Sequence, residues 1–351
     1  MPITLDSLSI TEPAQQEYVD NGPEYPQYLS TWSMETYPPL EPRHVSDSEE
    51  PGLRANPAFP NLFPKGGDFK LSKLTPKIGS DVDGVQISAL SPEGLDELAL
   101  YVAQRGVVAF RNQDLKDAGL EKLMQVTNHF GPAHVHPTTA HPAISPHLHV
   151  VYRDQQLGRK FLEEVPDRNS SISWHSDVTY EVNPPSTTFL LGLAIPPTGG
   201  DTLYSSSTEA YKRLSPSFRE RLHGLRAIHS SFEQDAESRS RCGPSRRPPI
   251  QTEQPIIRRH PVTKEPMLFV NEGFTRKIVG WKKEESDYML KFLFDHIARG
   301  QDFQCRVRWA EGTIIVWDNR SVVHSAVFDY DEAHRRHAIR LTPQGEIPIL
   351  V

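Results

Sequence analysis

The tetrapeptide Trp174-His175-Ser176-Asp177 is the first place where residue types and spacing suggest chemistry. On an extended strand, residues two apart point to the same face, so His175 and Asp177 could approach one ion. Imidazole and carboxylate groups are ligands that first-row transition metals accept. An HxD tripeptide also arises often by chance, and two ligands do not complete a site. The pattern therefore predicts two ligands of a metal centre, and a further ligand must come from elsewhere in the chain.

A second histidine, His324, is the candidate for that ligand. It lies in the strand-like run 321–327, which follows the apolar run 313–318 and a polar turn. A histidine among apolar strand residues is usually a core residue with satisfied hydrogen bonds, so this alternative stays open. Together with His175 and Asp177, it would complete the 2-His-1-carboxylate arrangement of non-haem Fe(II) oxygenases, which leaves coordination positions open.

Two arginines follow His324 by twelve and sixteen residues, at Arg336 and Arg340. Both intervals are even, so these residues could share a face with His324, although a turn must intervene. Guanidinium groups near a metal suit bidentate capture of a carboxylate or sulfonate. The arginines could instead belong to a solvated edge. The run 199–202, Gly-Gly-Asp-Thr, is more commonly a simple turn that enters a strand.

The elements that must position these residues begin at about Lys70. Ser91-Pro92-Glu93 predicts a helix start, and Gly106 predicts its end. We expect further helices over 206–225 and 282–300, among many short strands separated by Gly, Pro and Asn. This pattern favours a mainly β fold of the α+β class, a sandwich or barrel with helices outside it.

The first 69 residues have a different texture from the rest of the chain. Eleven of the thirty-one prolines fall in the first 70 residues, together with an acidic run at 46–50. Hydrophobic periodicity is weak there, so we predict a loop-like extension over 1–69 and one catalytic domain over 70–351.

Composition excludes several classes of protein. No run approaches the ~18 apolar residues of a membrane span, and the first residues lack the features of a secretory signal. The net charge of −7 argues against a nucleic-acid partner. Two cysteines cannot form a disulfide framework, so a cytoplasmic location is expected. Any metal must be bound by carboxylates and some of the fifteen histidines.

Five motifs, taken together, resemble one known family. WHSDVTY, PPTGGDTLY, LFVNEGFTRKI, WDNRSVVHSA and RRHAIR occur here in the order and spacing of the TauD/TfdA-type Fe(II)/2-oxoglutarate-dependent dioxygenases. The resemblance runs from about Lys70 to Gly345 and is strongest to the fungal taurine/alkylsulfonate branch. It implies a double-stranded β-helix core, also called a jelly-roll or cupin-like core, with flanking helices.

The resemblance also implies a role for each matched residue. His175, Asp177 and His324 would bind Fe(II). Thr202 and Arg336 would hold 2-oxoglutarate, and O₂ would be the second cosubstrate.

The substrate-binding residues implied by the family are the less specific part of the match. They are His136, Val178, Phe274 and Arg340, with Val178 acting through its backbone N–H. His136 could instead be an ordinary polar residue of a proline-rich loop, and Phe274 could be a core residue.

The implied reaction is hydroxylation of a small anionic substrate, with taurine or another alkylsulfonate as the first expectation. The products would be an aldehyde, sulfite, succinate and CO₂. An enzyme of the same fold that oxidises a small carboxylate or an amino acid, for example in secondary metabolism, is the alternative. A zinc hydrolase is disfavoured because neither HxHxDH nor HExxH occurs, and a metal-free binding protein is a further alternative. Family analogy also suggests a homo-oligomer.

Overall fold

The computed structural model describes residues 22–154, 174–330 and 334–351. These residues form a mixed α+β structure. The strands are β1 (Lys70–Lys73), β2 (Ser80–Asp83), β3 (Val107–Phe110), β4 (His149–Arg153), β5 (Thr187–Ala194), β6 (Thr202–Ser206), β7 (Arg226–Ser230), β8 (Gln251–Pro255), β9 (Ile257–Arg259), β10 (Pro266–Leu268), β11 (Thr275–Ile278), β12 (Gln304–Val307), β13 (Ile314–Asp318), β14 (Val322–Ala326), β15 (Arg336–Leu341) and β16 (Ile349–Leu350). The α-helices are α1 (Pro51–Arg54), α2 (Pro92–Arg105), α3 (Gly119–His129), α4 (Ser207–Arg213), α5 (Pro216–Leu222), α6 (Phe232–Ser240) and α7 (Lys283–Ala298).

The largest sheet has seven strands in the order β1-β2-β3-β13-β5-β15-β4. Its central strand β13 begins with four large apolar residues, whose side chains alternate between the two faces. Ile314 and Val316 pack in a core with residues of α2 and α3, whereas Ile315 and Trp317 pack in a second core on the other face. Both faces of β13 are therefore buried, which explains why its sequence is a continuous apolar run.

A three-stranded sheet, β12-β6-β14, covers the second face. Tyr204 of β6 and Val322 of β14 share the core that contains Trp317. Antiparallel pairing of β14 with β6 places His324 opposite Tyr204. The ring centroid of His324 is 5.0 Å from that of Trp317. His324 therefore projects between the two sheets. The two remaining three-stranded sheets have the orders β11-β7-β8 and β10-β9-β16.

Helix α2 has the bounds that its sequence predicts. The Ser91 hydroxyl accepts a hydrogen bond from the Gly94 N–H at 3.2 Å, and Pro92 occupies the first turn. Gly106 follows the last residue with a φ of 74°, a left-handed conformation that glycine adopts without a steric cost. The longest described helix, α7, has 16 residues, and no helix in the described ranges is long and apolar enough to cross a bilayer.

The single helix predicted over 206–225 is wrong in one respect, because the structure breaks it into α4 and α5. Leu214 and Ser215 between them are extended, with ψ values of 146° and 149°. The cause is Pro216, whose ring disfavours helical geometry at the preceding residue and which has no N–H to continue the hydrogen-bond ladder.

The described part of the N-terminal segment packs against the rest of the chain. Tyr28 and Leu62 belong to the core formed by α2, α3 and the large sheet. The Glu97 carboxylate on α2 accepts hydrogen bonds from the backbone N–H groups of Asn61 and Leu62. Residues 22–69 therefore add apolar side chains to the principal core, although they contain little regular structure.

Candidate metal centre and active site

The structure brings His175, Asp177 and His324 together. One ligand atom from each lies within 4.8 Å of the ligand atoms of the other two. The Nε2 atoms of both histidines are 3.8 Å from Asp177 Oδ1. An ion with bonds of ~2 Å can reach all three groups after small side-chain adjustments. Within the described part of the chain this is the one cluster of at least three candidate ligands.

A reciprocal pair of backbone hydrogen bonds fixes the two histidines next to each other. The His175 N–H donates to the His324 carbonyl at 3.0 Å, and the His324 N–H donates to the His175 carbonyl at 2.7 Å. This isolated antiparallel bridge sets the ring centroids 4.3 Å apart. The position of His175 thus depends on β14, which carries its partner.

Asp177 is positioned differently from the sequence-based expectation. We expected an extended strand through both His175 and Asp177, but residues 177–180 form a turn. Asn319, in the turn between β13 and β14, holds this segment: its Oδ1 accepts from the Asp177 N–H at 2.7 Å and its Nδ2 donates to the Asp177 carbonyl at 3.0 Å. The motif containing His324 therefore also supplies the group that orients the carboxylate.

The protonation states at this centre suit metal binding. Burial, together with His175, lowers the pKa of His324 to about 3, so its imidazole is neutral at pH 7. Burial alone would raise the pKa of Asp177, but the nearby Arg340 and the two histidines lower it below its usual value. A carboxylate and neutral imidazoles are the forms that bind a metal.

Two buried atoms at the centre have no hydrogen-bond partner among the described residues. They are Asp177 Oδ2 and His324 Nδ1. Buried polar atoms are otherwise nearly always paired, so an unpaired carboxylate oxygen here is consistent with an ion as its missing partner. Two imidazoles and one carboxylate form the donor set that non-haem Fe(II) uses, so these residues fit that metal.

Thr202 and Arg336, the residues that the family match assigns to 2-oxoglutarate, lie on β6 and β15. Arg336 is 4% exposed, and its Nε has no hydrogen-bond partner in the described part of the chain. Among the described residues, no carboxylate forms an ion pair with it, and burial lowers its pKa from the usual arginine value. A buried guanidinium without a carboxylate partner is unfavourable unless an anion joins it. Thr202 Oγ1 accepts a hydrogen bond from Trp309 Nε1 at 3.1 Å.

Gly200, two residues before Thr202, lies beside Arg336. It has a φ of 70°, and a Cβ added to it would lie 3.2 Å from Tyr330 Cδ1 and 3.6 Å from Arg336 Nε. The backbone conformation and the close Tyr330 ring favour glycine at this position. The predicted turn before β6 thus lies beside the buried arginine.

Arg340 connects the candidate substrate site to the metal centre. Its Nη1 donates to Asp177 Oδ1 at 2.7 Å, and its Nη2 donates to His149 Nδ1 at 2.6 Å. The Nε atom of Arg340 is buried and has no hydrogen-bond partner within the residues that the structure describes. His149 lies on β4 directly opposite Arg340 of β15. An anion bound by this guanidinium would therefore lie next to the metal ligands.

Among the described residues, His136 and Arg340 form no hydrogen bond with each other. The ring of His136 is instead next to that of His149, with centroids 5.0 Å apart in an edge-to-face arrangement. The Thr138 N–H donates to His136 Nδ1 at 3.2 Å. His149 thus stands between Arg340 and His136.

Val178 and Phe274 border the metal centre. The ring centroid of Phe274 is 6.1 Å from that of His175 and 5.1 Å from that of Tyr180. Val178 has a φ of 40°, which is a strained conformation for a β-branched residue. It is buried, and its N–H makes no hydrogen bond to a described residue. This N–H is therefore available to a ligand.

Two functional candidates, Asn319 and His149, were not identified from the sequence. Asn319 was visible as part of WDNRS, but its target on the Asp177 turn is distant in the chain. His149 could have been noticed as a polar residue in the apolar run LHVVY, yet its role depends on the register of β4 against β15. Pairing information, rather than residue type, was missing in both cases.

Comparisons with known proteins place this geometry in context. Residues 70–342 match the family described as taurine catabolism dioxygenase TauD, TfdA family. The chain is 46% identical over 336 residues to the alpha-ketoglutarate-dependent dioxygenase cnsM of Penicillium expansum, covering 94% of this chain and 91% of that protein. It is 44% identical over 328 residues to the alpha-ketoglutarate-dependent sulfonate dioxygenase of Saccharomyces cerevisiae, covering 93% of this chain and 79% of the yeast protein.

The fold comparison agrees with the sequence comparison. The crystal structure of a taurine dioxygenase from Burkholderia xenovorans superimposes with a TM-score of 0.64 at 28% identity, covering 80% of this chain and 93% of that one. The matched range contains every residue that the sequence motifs singled out, which confirms the family resemblance. The chain belongs to the TauD/TfdA dioxygenase family.

Proposed function

We propose that this protein is an Fe(II)- and 2-oxoglutarate-dependent dioxygenase that oxidises a small alkylsulfonate such as taurine to an aldehyde and sulfite. The main observation in support of this proposal is the 2.7 Å hydrogen bond from Arg340 to Asp177. It makes the anion-binding group and the metal ligands one continuous site. Family membership and the sulfonate dioxygenase activity of the yeast relative support the choice of sulfonate.

In this proposal His175, Asp177 and His324 hold Fe(II). With 2-oxoglutarate and O₂, the bound metal supplies the oxidising power that hydroxylates a C–H bond while 2-oxoglutarate becomes succinate and CO₂. The layered sheets around His324 are the double-stranded β-helix that the family resemblance implies. Two sheets that share a core support this finer description of the fold.

Arg336 and Thr202 bind the distal carboxylate of 2-oxoglutarate. The guanidinium offers two parallel donors to a carboxylate, and the Thr202 hydroxyl adds one more. Charge supports this assignment, because Arg336 is buried beside Gly200 without a carboxylate of its own among the described residues. The distal carboxylate of 2-oxoglutarate would form the ion pair with Arg336.

The substrate-side residues determine which carbon is oxidised. Arg340 binds the sulfonate with His136 and the Val178 N–H, and Phe274 closes the apolar side next to His175. The carbon attached to sulfur then lies closest to the metal centre. Hydroxylation of that carbon gives an α-hydroxysulfonate, which loses sulfite as its C–S bond breaks and its hydroxyl oxygen becomes the aldehyde oxygen. The protein's contribution is placement and exclusion of water.

The experiment is a substrate panel with two product measurements. The protein is purified anaerobically, loaded with Fe(II) and 2-oxoglutarate, and exposed to O₂ with taurine, other alkylsulfonates, and small carboxylates or amino acids. Succinate and sulfite formed in a ratio near one with a sulfonate support the proposal. Succinate formation that depends only on a carboxylate or amino acid, with no sulfite, contradicts it and identifies the alternative substrate class.

Further sequence predictions remain predictions. A cytoplasmic location, assembly into a homo-oligomer, and independence from nucleic acid and membrane partners rest on composition or family analogy. The division into a 1–69 extension and a 70–351 catalytic domain is proposed from composition. The family match, which begins at residue 70, supports a boundary at that position.

A further inference from the structure

His149 occupies a position beside the anion site to which the sequence motifs assign no role. It begins β4, directly opposite Arg340 of β15, and accepts a hydrogen bond from Arg340 Nη2 at 2.6 Å. Its ring lies edge to face with that of His136, at 5.0 Å between centroids. Arg340, His149 and His136 are therefore contiguous, and each carries a hydrogen-bond donor. Arg340 also contacts the proposed metal ligand Asp177.

The hydrogen bonds on the two histidines determine where their protons lie. Arginine only donates, so His149 Nδ1 must accept and the proton of the neutral ring lies on Nε2. The Thr138 N–H donates to His136 Nδ1 at 3.2 Å, so the same tautomer follows for His136. Neither Nε2 has a hydrogen-bond partner among the described residues. Two N–H donors therefore remain available beside the guanidinium.

The charge state is consistent with this assignment. Burial and the neighbouring Arg340 hold the pKa of His149 well below its usual value. Burial and His149 do the same for His136. Both rings are therefore neutral donors at pH 7, and the positive charge of the group belongs to Arg340.

We propose that His149 is a third side-chain donor of the anion site, and that Arg340, His136 and His149 together select an anion with three terminal oxygens over a carboxylate. The inference rests on the proposed function, and it identifies His149 as the residue that makes the anion site specific for sulfonates. The three oxygens of a sulfonate point in three directions, so each side-chain donor can have an oxygen of its own. The two oxygens of a carboxylate lie in one plane, so two of these donors must share an oxygen and one of the hydrogen bonds is weaker in a desolvated site.

The test compares two amide variants that separate the two ring nitrogens. In His149→Asn the side-chain oxygen can replace Nδ1 as the acceptor for Arg340, but the side chain is too short to donate from the Nε2 position. In His149→Gln the longer side chain places its NH₂ group near the Nε2 position. Dissociation constants for taurine and for its carboxylate counterpart β-alanine are measured by calorimetry on the anaerobic protein with Fe(II) and 2-oxoglutarate, alongside KM and kcat.

We expect His149→Asn to weaken taurine binding by about 10- to 100-fold, the effect of one hydrogen bond to a charged group. β-Alanine binding should change by less than about threefold, so the preference for taurine falls. His149→Gln should recover most of the affinity. The KM for 2-oxoglutarate, which reports the Arg336 side of the site, should stay at the wild-type value in both variants.

Taurine affinity at the wild-type level in His149→Asn contradicts the inference, as does a loss in His149→Gln that equals the loss in His149→Asn. Failure of the proposed function has a different signature, since the wild-type protein then releases no sulfite from any sulfonate. In that case the variants are measured with the anion that supports succinate formation. A carboxylate that depends on His149 as strongly as we expect of taurine would overturn the selection for three oxygens.

Discussion

Asp177 and Asp318 are both buried aspartates with histidine and arginine neighbours, but the protein satisfies them to different degrees. Asp318 accepts on both oxygens: Oδ1 from the Arg320 N–H at 2.9 Å, and Oδ2 from His260 Nε2 at 2.9 Å and Arg320 Nη2 at 2.7 Å. Asp177 accepts from one side chain, Arg340, and its Oδ2 is unpaired among the described residues. Asn319 connects the two aspartates, because it follows Asp318 in the chain and its side chain hydrogen-bonds the Asp177 backbone.

The neighbours of Asp318 form a closed network of charges. Arg320 also pairs with Glu50 at 3.0 Å and Glu346 at 3.5 Å, and Glu346 pairs with Arg258. Burial alone would raise the pKa of Asp318, but Arg320 and His260 lower it far below the usual value. A buried charge whose partners are all supplied by the protein needs no external ligand, and removing one of these partners destabilises the fold. A buried carboxylate with an unpaired oxygen, such as Asp177, indicates a site for an external ligand.

The largest expected effect is the loss of Fe(II) binding and activity at the metal centre that contains Asp177. His175→Ala should reduce Fe(II) affinity by more than about 100-fold, since even an outer-sphere partner of a ligand contributes 10- to 100-fold. Succinate formation should fall to background. Iron content after anaerobic loading and 2-oxoglutarate-dependent succinate production measure the two effects. A variant that retains iron and turnover would remove His175 from the metal centre.

Asp318→Asn should instead destabilise the fold. It leaves the buried cation Arg320 with less compensation, and breaking a buried ion pair costs about 3–5 kcal/mol. The free energy of unfolding from urea denaturation measures the loss, with His175→Ala as the control that should leave this energy nearly unchanged. Equal destabilisation by both variants would show that Asp318 is no more important to the folded state than the metal-centre residue His175.

Arg335 and Arg336 give a matched pair of neighbouring arginines. Arg336 has no carboxylate partner in the described residues, whereas Arg335 donates to the Tyr152 hydroxyl at 3.2 Å and to the Gly22 carbonyl. Arg336→Lys should raise the KM for 2-oxoglutarate by about 10-fold or more, because lysine cannot offer a bidentate pair to a carboxylate. Arg335→Lys should leave that KM unchanged. Identical KM values in the two variants would exclude Arg336 from cosubstrate binding.

The smallest predicted effect concerns two buried histidines. His229 and His324 both have a pKa lowered to about 3, mainly by burial. Both nitrogens of His229 are hydrogen-bonded, to Thr179 Oγ1 at 2.7 Å and Thr275 Oγ1 at 3.1 Å, whereas His324 Nδ1 has no partner in the described ranges. His229 thus resembles Asp318 as a group satisfied within the protein.

Its lowered pKa predicts the pH dependence of stability. Below about pH 6.5 the unfolded chain protonates this histidine while the folded protein keeps it neutral, so the free energy of unfolding falls as pH falls toward 3. His229→Gln should reduce this slope by up to about 1.4 kcal/mol per pH unit. Urea denaturation at pH 7, 6 and 5 measures the slope. An unchanged slope would show that His229 is not held neutral in the fold.

The sequence predicted the parts of this site that depend on local pattern. The candidate ligands His175, Asp177 and His324 followed from residue type and spacing together with the family motifs, and α2 followed from its capping residues. Strand counting permitted a layered β fold but could not distinguish a sandwich from a barrel. The relation between sheets depends on long-range pairing, which no local pattern contains.

His149 and Asn319 could not be predicted from the sequence for the same physical reason. His149 matters only because it lies opposite Arg340, 191 positions further along the chain. Asn319 matters because its side chain reaches the Asp177 turn across 142 positions. Local sequence encodes which groups are present, whereas the strand register decides which of them meet.

The Glu50–Arg320 pair has a consequence for how this protein can be divided. The family match begins at residue 70, but one of the three carboxylates that compensate Arg320 comes from before that boundary. A shortened chain that begins at Lys70 would keep every proposed catalytic group and lose the Glu50 counter-charge of Arg320. The segment that matches the family and the segment that completes this buried charge network are therefore different lengths of chain. Exchanges between relatives should transfer residues 22–69 together with the catalytic region.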